Sequence, residues 1–295
     1  MPVDNITCVA DVTGVRKSLT EENYLRIGKL TLIPIPCPKT GEIIKHQTII
    51  KNLLFTFKEN HLIVSNSLHK FFKGNNYSNF SYSELIKSIE KVEGLTGICS
   101  RQFEIKKMEF AVNITTEKPP HQYFPMFSDF KGREFDKMRS KAFWYGVKYH
   151  FTEYALKVYD KSEMVKRTER IAMNQNLLRF EIEYKKSRII PHVKTLSDLK
   201  NREKIKGLFD ELVKQVEQLN CEGSEDFSNI NSRNREMYFA GQNSRFWKVE
   251  KGLNVNTAKS KKRKFREIQK RISPKNLISE FTDELEVTFN WLINT

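Results

Sequence analysis

The sequence predicts an α+β fold: an antiparallel sheet with flanking helices, followed by a helical C-terminal domain. Period-two alternation of apolar and polar residues recurs up to about residue 190, as strands with one buried face require. Beyond Pro191 the spacing becomes helical. With 39% hydrophobic residues in 295, the chain is long enough for one large domain or two moderate ones with a real core. The boundary is placed near residue 192, with an α+β domain over 1–192 and a helical, basic region over 193–295.

The first third reads as strands at Thr7 to Val12, Thr48 to Phe57 and His61 to Ser67, the last two joined by Lys58-Glu59-Asn60. Ser81 with Glu84 three residues on is a capping box. It opens a helix in which Leu85, Ile86, Ile89 and Val92 recur at helical spacing until Gly94 stops it. Residues Arg101 to Ile114 return to strand. A loop at Pro119-Pro120 and an aromatic-rich segment, Tyr123 to Phe130, follow. A hairpin is expected from Ala142 to Val147 and Tyr154 to Tyr159, then a short basic helix around Asp160 to Met173, then a strand from Leu177 to Lys185. Leu199, Ile205, Leu208, Leu212, Val216 and Leu219 mark an amphipathic helix. Ser273-Pro274 is a cap and first-turn pair for a last helix that carries Leu277, Ile278, Phe281, Leu285 and Leu292 inside.

Three of these strands are polar on one side. Met108, Phe110, Val112 and Ile114 form an apolar row with Glu109 and Asn113 opposite. Tyr154, Leu156 and Val158 leave Lys157, Tyr159 and Lys161 on the other face, and Leu178, Phe180, Ile182 and Tyr184 leave Arg179, Glu181, Glu183 and Lys185. If the strands are neighbours, a tyrosine, three carboxylates, an arginine and lysines share one surface. An ordinary solvated sheet face is the competing explanation.

The charge balance narrows the partners. With 51 Lys+Arg against 36 Asp+Glu, the formal net charge is +15, which points to a polyanion, nucleic acid first. Eight basic residues against Glu267 give a net +7 between Lys259 and Arg271. Lys261, Lys262, Arg263, Lys264 and Arg266 in that run are read as phosphate contacts, with a solvated face as the alternative. Arg245 and Trp247, in Arg245-Phe246-Trp247-Lys248, mix cation and aromatic as single-strand stacking surfaces do, although aromatic clusters also build cores. The four cysteines, Cys8, Cys37, Cys99 and Cys221, contain no Cys-x-x-Cys pair, so neither a zinc site nor a disulfide framework is indicated. A reduced cytoplasm is expected, and with neither signal-peptide order nor a membrane-length apolar run, no membrane is expected as a partner.

Tyrosine can cut a phosphodiester by direct attack on phosphorus, leaving a phosphotyrosine bond that preserves the energy for rejoining. A phenol of pKa about 10 needs a cation or base beside it, and Tyr159 has Lys157 and Lys161 on its own face. Tyr184, on the apolar face, is expected in the core. Glu181 and Glu183 lie roughly 7 Å apart at strand rise, and Glu109 can join them from a neighbouring strand. An all-oxygen cluster suits Mg²⁺ or Mn²⁺, whereas pairing with Arg179 and the lysines is the plain alternative.

The order of these motifs resembles a known family. Met108-Glu109-Phe110, then Tyr159-Asp160-Lys161 with Glu163, then Arg179-Phe180-Glu181-Ile182-Glu183 is similar to the rolling-circle replication initiators of filamentous-phage gene II type, relatives of small-plasmid initiators. Ser65-Asn66-Ser67-Leu68-His69-Lys70-Phe71 with Gly74-Asn75-Asn76 resembles the N-terminal part of such proteins. The similarity covers roughly residues 50 to 190. It implies a Rep-like nicking domain whose nucleophile, in a Tyr-x-Lys strand, maps onto Tyr159 with Lys161. In some plasmid relatives the tyrosine follows the Arg-Phe-Glu strand instead, but Ser187 to Leu199 contains none. The His-hydrophobic-His metal motif of other initiators is absent, which favours carboxylates. The expectation is a metal-dependent strand transferase with Tyr159, Lys161, Lys157 and Arg179 catalytic and Glu109, Glu181 and Glu183 on metal. Its partners would be double- and single-stranded origin DNA with host helicase and polymerase. A plasmid relaxase or single-strand transposase of the same chemistry, or a non-catalytic DNA-binding repressor, are the alternatives.

Overall fold

The computed structural model describes residues 3–140, 143–221, 230–253, 255–272 and 277–295. Seven strands come first: β1 (Val3–Asp11), β2 (Lys17–Leu19), β3 (Leu25–Ile27), β4 (Leu30–Pro36), β5 (Ile43–Ile50), β6 (Leu53–Lys58) and β7 (His61–Ser67). Helices α1 (Leu68–Lys73) and α2 (Tyr82–Thr96) lead into the long strand β8 (Glu104–Thr115). Then come β9 (Phe127–Phe130), β10 (Arg133–Glu134), β11 (Asp136–Ser140), β12 (Phe143–His150), β13 (Tyr154–Asp160), α3 (Lys161–Glu169) and β14 (Leu177–Tyr184). The remainder is α4 (Arg202–Val216), β15 (Leu219–Cys221), α5 (Ser232–Gln242), α6 (Ser244–Leu253), α7 (Val255–Ile272) and α8 (Leu277–Asn294). No described helix is long and apolar enough to cross a membrane.

Twelve strands form one sheet in the order β11-β12-β13-β14-β8-β1-β7-β6-β5-β4-β3-β2, and β10-β9-β15 form a second. The expected large antiparallel sheet with helices is therefore present. The three strands read as carriers of a polar face are adjacent, since β14 pairs with β13 on one side and β8 on the other. Their apolar rows, Phe110 and Val112, Leu156 and Val158, Phe180 and Ile182, lie in the main core.

That core is closed by helices on the apolar side. Phe281 of α8 sits on Phe180 with ring centroids 5.4 Å apart, and Phe289 stacks on Phe209 of α4 at 4.0 Å. Helices on the C-terminal side of residue 192 thus complete the core of the sheet, and Leu219 leaves the expected helix to pair in β15 with β9. Helices α5, α6 and α7 gather around a smaller core of Ile230, Tyr238, Phe265 and Ile268.

Several local expectations are corrected. The single strand Thr48 to Phe57 is two, because Lys51 takes a positive φ of 57° and turns the chain between β5 and β6. Residues 17–36, given no elements from sequence, supply β2 to β4, where Leu30 and Leu32 point inward and Thr31 and Ile33 outward. Helix α2 runs through Gly94 and is stopped by Gly97, which caps it in the left-handed region at φ 71°. Ala142 and the Ser273-Pro274 cap lie outside the described residues.

Candidate active site

The register of the central strands sets the site. Along one row Gly146, Tyr159, Arg179 and Asn113 face one another across four strands. Along the next stand Lys148, Lys157, Glu181 and Ala111. Period-two alternation turns all of them away from the apolar rows.

Hydrogen bonds tie these side chains into one network. The Tyr159 hydroxyl donates to Glu181 Oε2 at 3.0 Å, and Arg179 Nε donates to the same oxygen at 3.0 Å. The other Glu181 oxygen takes Lys157 Nζ at 2.7 Å. Lys157 also reaches Glu109 at 2.9 Å and Glu183 at 3.1 Å, and Lys148 pairs with Glu183 at 3.0 Å. Arg179 spreads further, with Nη1 to Asn113 Oδ1 at 3.2 Å and Nη2 to Asp4 Oδ2 at 2.8 Å. The structure thus brings together Tyr159, Lys157, Arg179, Glu109, Glu181 and Glu183.

This is not a solvated face. Arg179 and Glu181 are each 3% exposed and Tyr159 is 6% exposed. Burial and opposed charge therefore set the protonation. Burial pushes the Glu181 carboxyl up, but Arg179 and Lys157 outweigh it and hold it at about 2. Burial depresses Lys157, yet Glu181 and Glu109 more than reverse this and keep it protonated. Burial and the Glu181 charge raise Glu109 against the pull of Lys157. The Tyr159 phenol lies well above its ordinary value because it is buried, with Arg179 only partly compensating. As it stands, the site holds a neutral phenol donating to a charged carboxylate.

Gly146 makes room for that phenol. A Cβ there would stand 2.4 Å from Tyr159 Cβ, so only glycine fits opposite the ring, which Tyr145 meets edge-on at 6.5 Å.

Lys161 leaves the Tyr-x-Lys strand row and falls in the basic helix expected around Asp160 to Met173. Asp160 ends β13 and caps α3, its carboxylate accepting from the Glu163 amide at 2.8 Å, so Lys161 is the first residue of that helix. The side chain nonetheless belongs to the same cluster, fully buried, with Nζ 3.0 Å from Asn76 Oδ1. Burial and the nearby Arg179 depress its ammonium to about 7 despite Asp4 and Glu181.

The expected ion meets a different arrangement. Mg²⁺ or Mn²⁺ needs several oxygens converging at roughly 2.0–2.3 Å. Glu109, Glu181 and Glu183 converge instead on the Lys157 ammonium, within 3.1 Å of each. As arranged, they do not fit a divalent cation. Among the described residues no group of three or more His, Cys, Asp or Glu is placed to hold one.

Sequence reasoning missed Asp4, Asn5, Asn76 and Lys148. A β-bulge between Val3 and Ile6 sets two residues of β1, Asp4 and Asn5, against one of β8, Glu109. It turns Asp4 and Asn5 together onto the polar face, where Asn5 donates to Glu109. Plain alternation would have put Asp4 in the core with Ile6 and Cys8. Asn76 arrives from the loop after α1, where only spatial proximity gives it a role.

The basic run forms much of α7. Lys262, Arg263, Lys264 and Arg266 are exposed and Lys261 half-buried. Arg263 and Glu267, both exposed, approach to 3.9 Å. Arg245 is exposed on α6. Trp247 instead packs inward: its indole donates to Gly241 O at 2.7 Å, its ring meets Phe265 at 5.5 Å, and Lys262 Nζ lies 6.0 Å from it. Of the two readings of this aromatic, core packing is the one its contacts fit.

In comparisons with known proteins, no family model and no curated protein matches the chain.

Proposed function

We propose that the protein is a DNA strand transferase that nicks one strand of an origin through Tyr159, as a rolling-circle replication initiator of phage or plasmid type. The observation that carries the reading is the Tyr159 hydroxyl 3.0 Å from Glu181 Oε2, in a pair of rows that also holds Arg179 and Lys157. A phenol, an acceptor for its proton and two cations for a phosphate are the parts such a reaction needs.

In the proposed step the phenol oxygen attacks the phosphorus while its proton passes to Glu181. The bond to the 3′ oxygen breaks, that oxygen takes up a proton, and the 5′ phosphate stays on Tyr159. The free 3′ hydroxyl would prime the host polymerase, with a host helicase opening the duplex, and attack by a later 3′ hydroxyl would rejoin the displaced strand. A phosphate bound beside Arg179 and Lys157 adds negative charge next to Glu181 and offsets the cations that hold its pKa down, which makes it a better base when substrate is present. Those two residues, rather than Mg²⁺ or Mn²⁺ on the glutamates, are in place to meet the phosphate charge. The exposed cations of α7 supply the duplex contact, which positions but does not select sequence.

One observation favours a second reading, a non-catalytic DNA-binding repressor: Tyr159 is 6% exposed and its network is internally satisfied. Conversion of supercoiled origin plasmid to open circle separates the two. Nicking by the wild type, its loss in Tyr159→Phe and unchanged DNA binding are expected. Binding without nicking in the wild type leaves the repressor. The same assay in EDTA, then with Mg²⁺ or Mn²⁺ restored, shows whether a divalent ion enters the reaction.

A further inference from the structure

Asp4 joins parts of the cluster that no single strand connects. Its Oδ1 accepts from Ser67 Oγ at 2.5 Å, and its Oδ2 accepts from Arg179 Nη2 at 2.8 Å and Asn76 Nδ2 at 3.0 Å. Asn76 turns its other amide atom to Lys161, accepting from Nζ at 3.0 Å. One carboxylate thus faces two cations, Arg179 directly and Lys161 through an amide relay. The whole relay is shielded from water, with Asp4 4% exposed and Lys161 fully buried.

The guanidinium is fixed along its whole fork. Nε is held by Glu181, Nη1 by Asn113 and Nη2 by Asp4. Three acceptors on three strands leave it one orientation, with Nε on the oxygen that receives the Tyr159 proton. Arg179 and Lys161 repel each other, and Asp4 is the first of the acids that offset this at Lys161. The bulge that aims Asp4 onto this face is the kind of irregularity that re-aims a side chain beside a reacting group.

We infer that Asp4 and Asn76 are positioning residues of the Tyr159 site, Asp4 holding Arg179 against the nucleophile and Asn76 tying Lys161 to the same carboxylate. This rests on the nicking reading, so the test has one arm that requires DNA chemistry and one that does not. Lys161 is faced by Arg179 and Glu181 from β14, Asp4 from β1 and Lys70 and His69 from α1, and a change at Asp4 is read against those other groups.

In the first arm, Asp4→Asn, which keeps the shape and removes the charge, is compared with wild type in single-turnover cleavage of a saturating single-stranded origin oligonucleotide across pH 5 to 9. The expected result is unchanged oligonucleotide affinity, a cleavage rate at least about tenfold lower, and partial rescue in Asp4→Glu. A wild-type rate and pH profile in Asp4→Asn overturns the inference. In the second arm, NMR of the lysine side chains follows the Lys161 titration without DNA. Its midpoint should fall in Asp4→Asn, and an unmoved midpoint overturns the pairing even if the protein never cleaves DNA. Should Asp4→Asn fail to fold, Asn76→Ala removes only the relay and should move the same midpoint. If it does not, the relay is refuted.

Discussion

The sheet cluster and helix α7 are built from the same cationic residue types and behave in opposite ways. Lys157 is nearly enclosed and faces three glutamates, so its charge is offset inside the protein before any substrate arrives. On α7 the Arg263–Glu267 pair at 3.9 Å joins two exposed side chains, and such pairs contribute roughly 0–1 kcal/mol. Cations buried with acids fix geometry, and cations lifted into solvent on one helix are, in the proposed reading, the contact for an external polyanion. Four variants sharpen or break this contrast.

The largest effect belongs to Glu181→Gln. It leaves Lys157, Arg179 and the Tyr159 hydroxyl facing a neutral amide, and breaking a buried pair in this way costs about 3–5 kcal/mol. Denaturant unfolding at pH 7 measures it. A loss below about 1 kcal/mol would mean that the cluster is wet and loosely paired. The sign with pH follows from a folded pKa of about 2 against an ordinary 4.5. The Glu181 contribution is complete above pH 4.5 and disappears as the pH falls toward 2.

Lys161→Met should act in the other direction. With its ammonium depressed to about 7 from 10.5, burying the charged lysine weakens the fold most below pH 7, and the penalty fades as the pH rises from 7 to 10.5. The variant should therefore be more stable than wild type at pH 6, by a few kcal/mol on the order expected for such a shift, with the gain shrinking above pH 7. A gain that grows with pH would contradict the burial of Lys161.

Gly146→Ala should cost about 1–3 kcal/mol, because the new methyl meets Tyr159 Cβ at 2.4 Å and the Val158 carbonyl at 2.7 Å. Thermal unfolding reads the cost, and near-ultraviolet circular dichroism reads the displaced tyrosine.

The smallest stability effect is expected on α7. Replacing Lys261, Lys262, Arg263 and Lys264 together with glutamine should change stability by less than about 0.5 kcal/mol, as surface substitutions do. The slope of log affinity against log salt on duplex DNA should flatten by up to about 3 to 4. An unchanged slope would make the helix a solvated face and move the DNA track to the sheet.

How much of this was legible in the sequence depends on what each feature rests on. The polar rows of β8, β13 and β14 were readable because period-two alternation is local, and the register then placed Arg179 beside Tyr159 and Glu181 beside Lys157. Asp4 was not readable, because a bulge inverts the parity on which such reasoning rests. The helix that Asp160 caps was readable, but its consequence for Lys161 was not, since the residue was also counted in the polar row of the preceding strand. Strands β2 and β3 went unnoticed because each spans only three residues, and β4 because Pro34 and Pro36 interrupt its pattern, while the closing role of α4 and α8 lies in contacts between distant segments, Phe281 on Phe180 and Phe289 on Phe209. The competition between Lys157 and a metal ion for the three glutamates turns on distances, which composition does not contain.

The most direct measurement is the site of covalent attachment. An oligonucleotide spanning the nick, with sulfur in place of the bridging 3′ oxygen, traps the phosphotyrosine, and peptide mass mapping then locates the modified residue. Attachment at Tyr159, absent in Tyr159→Phe, is the expected result. Attachment at Tyr145 or Tyr184, or no adduct on any sequence that the protein binds tightly, would contradict the assignment of this buried phenol as the nucleophile.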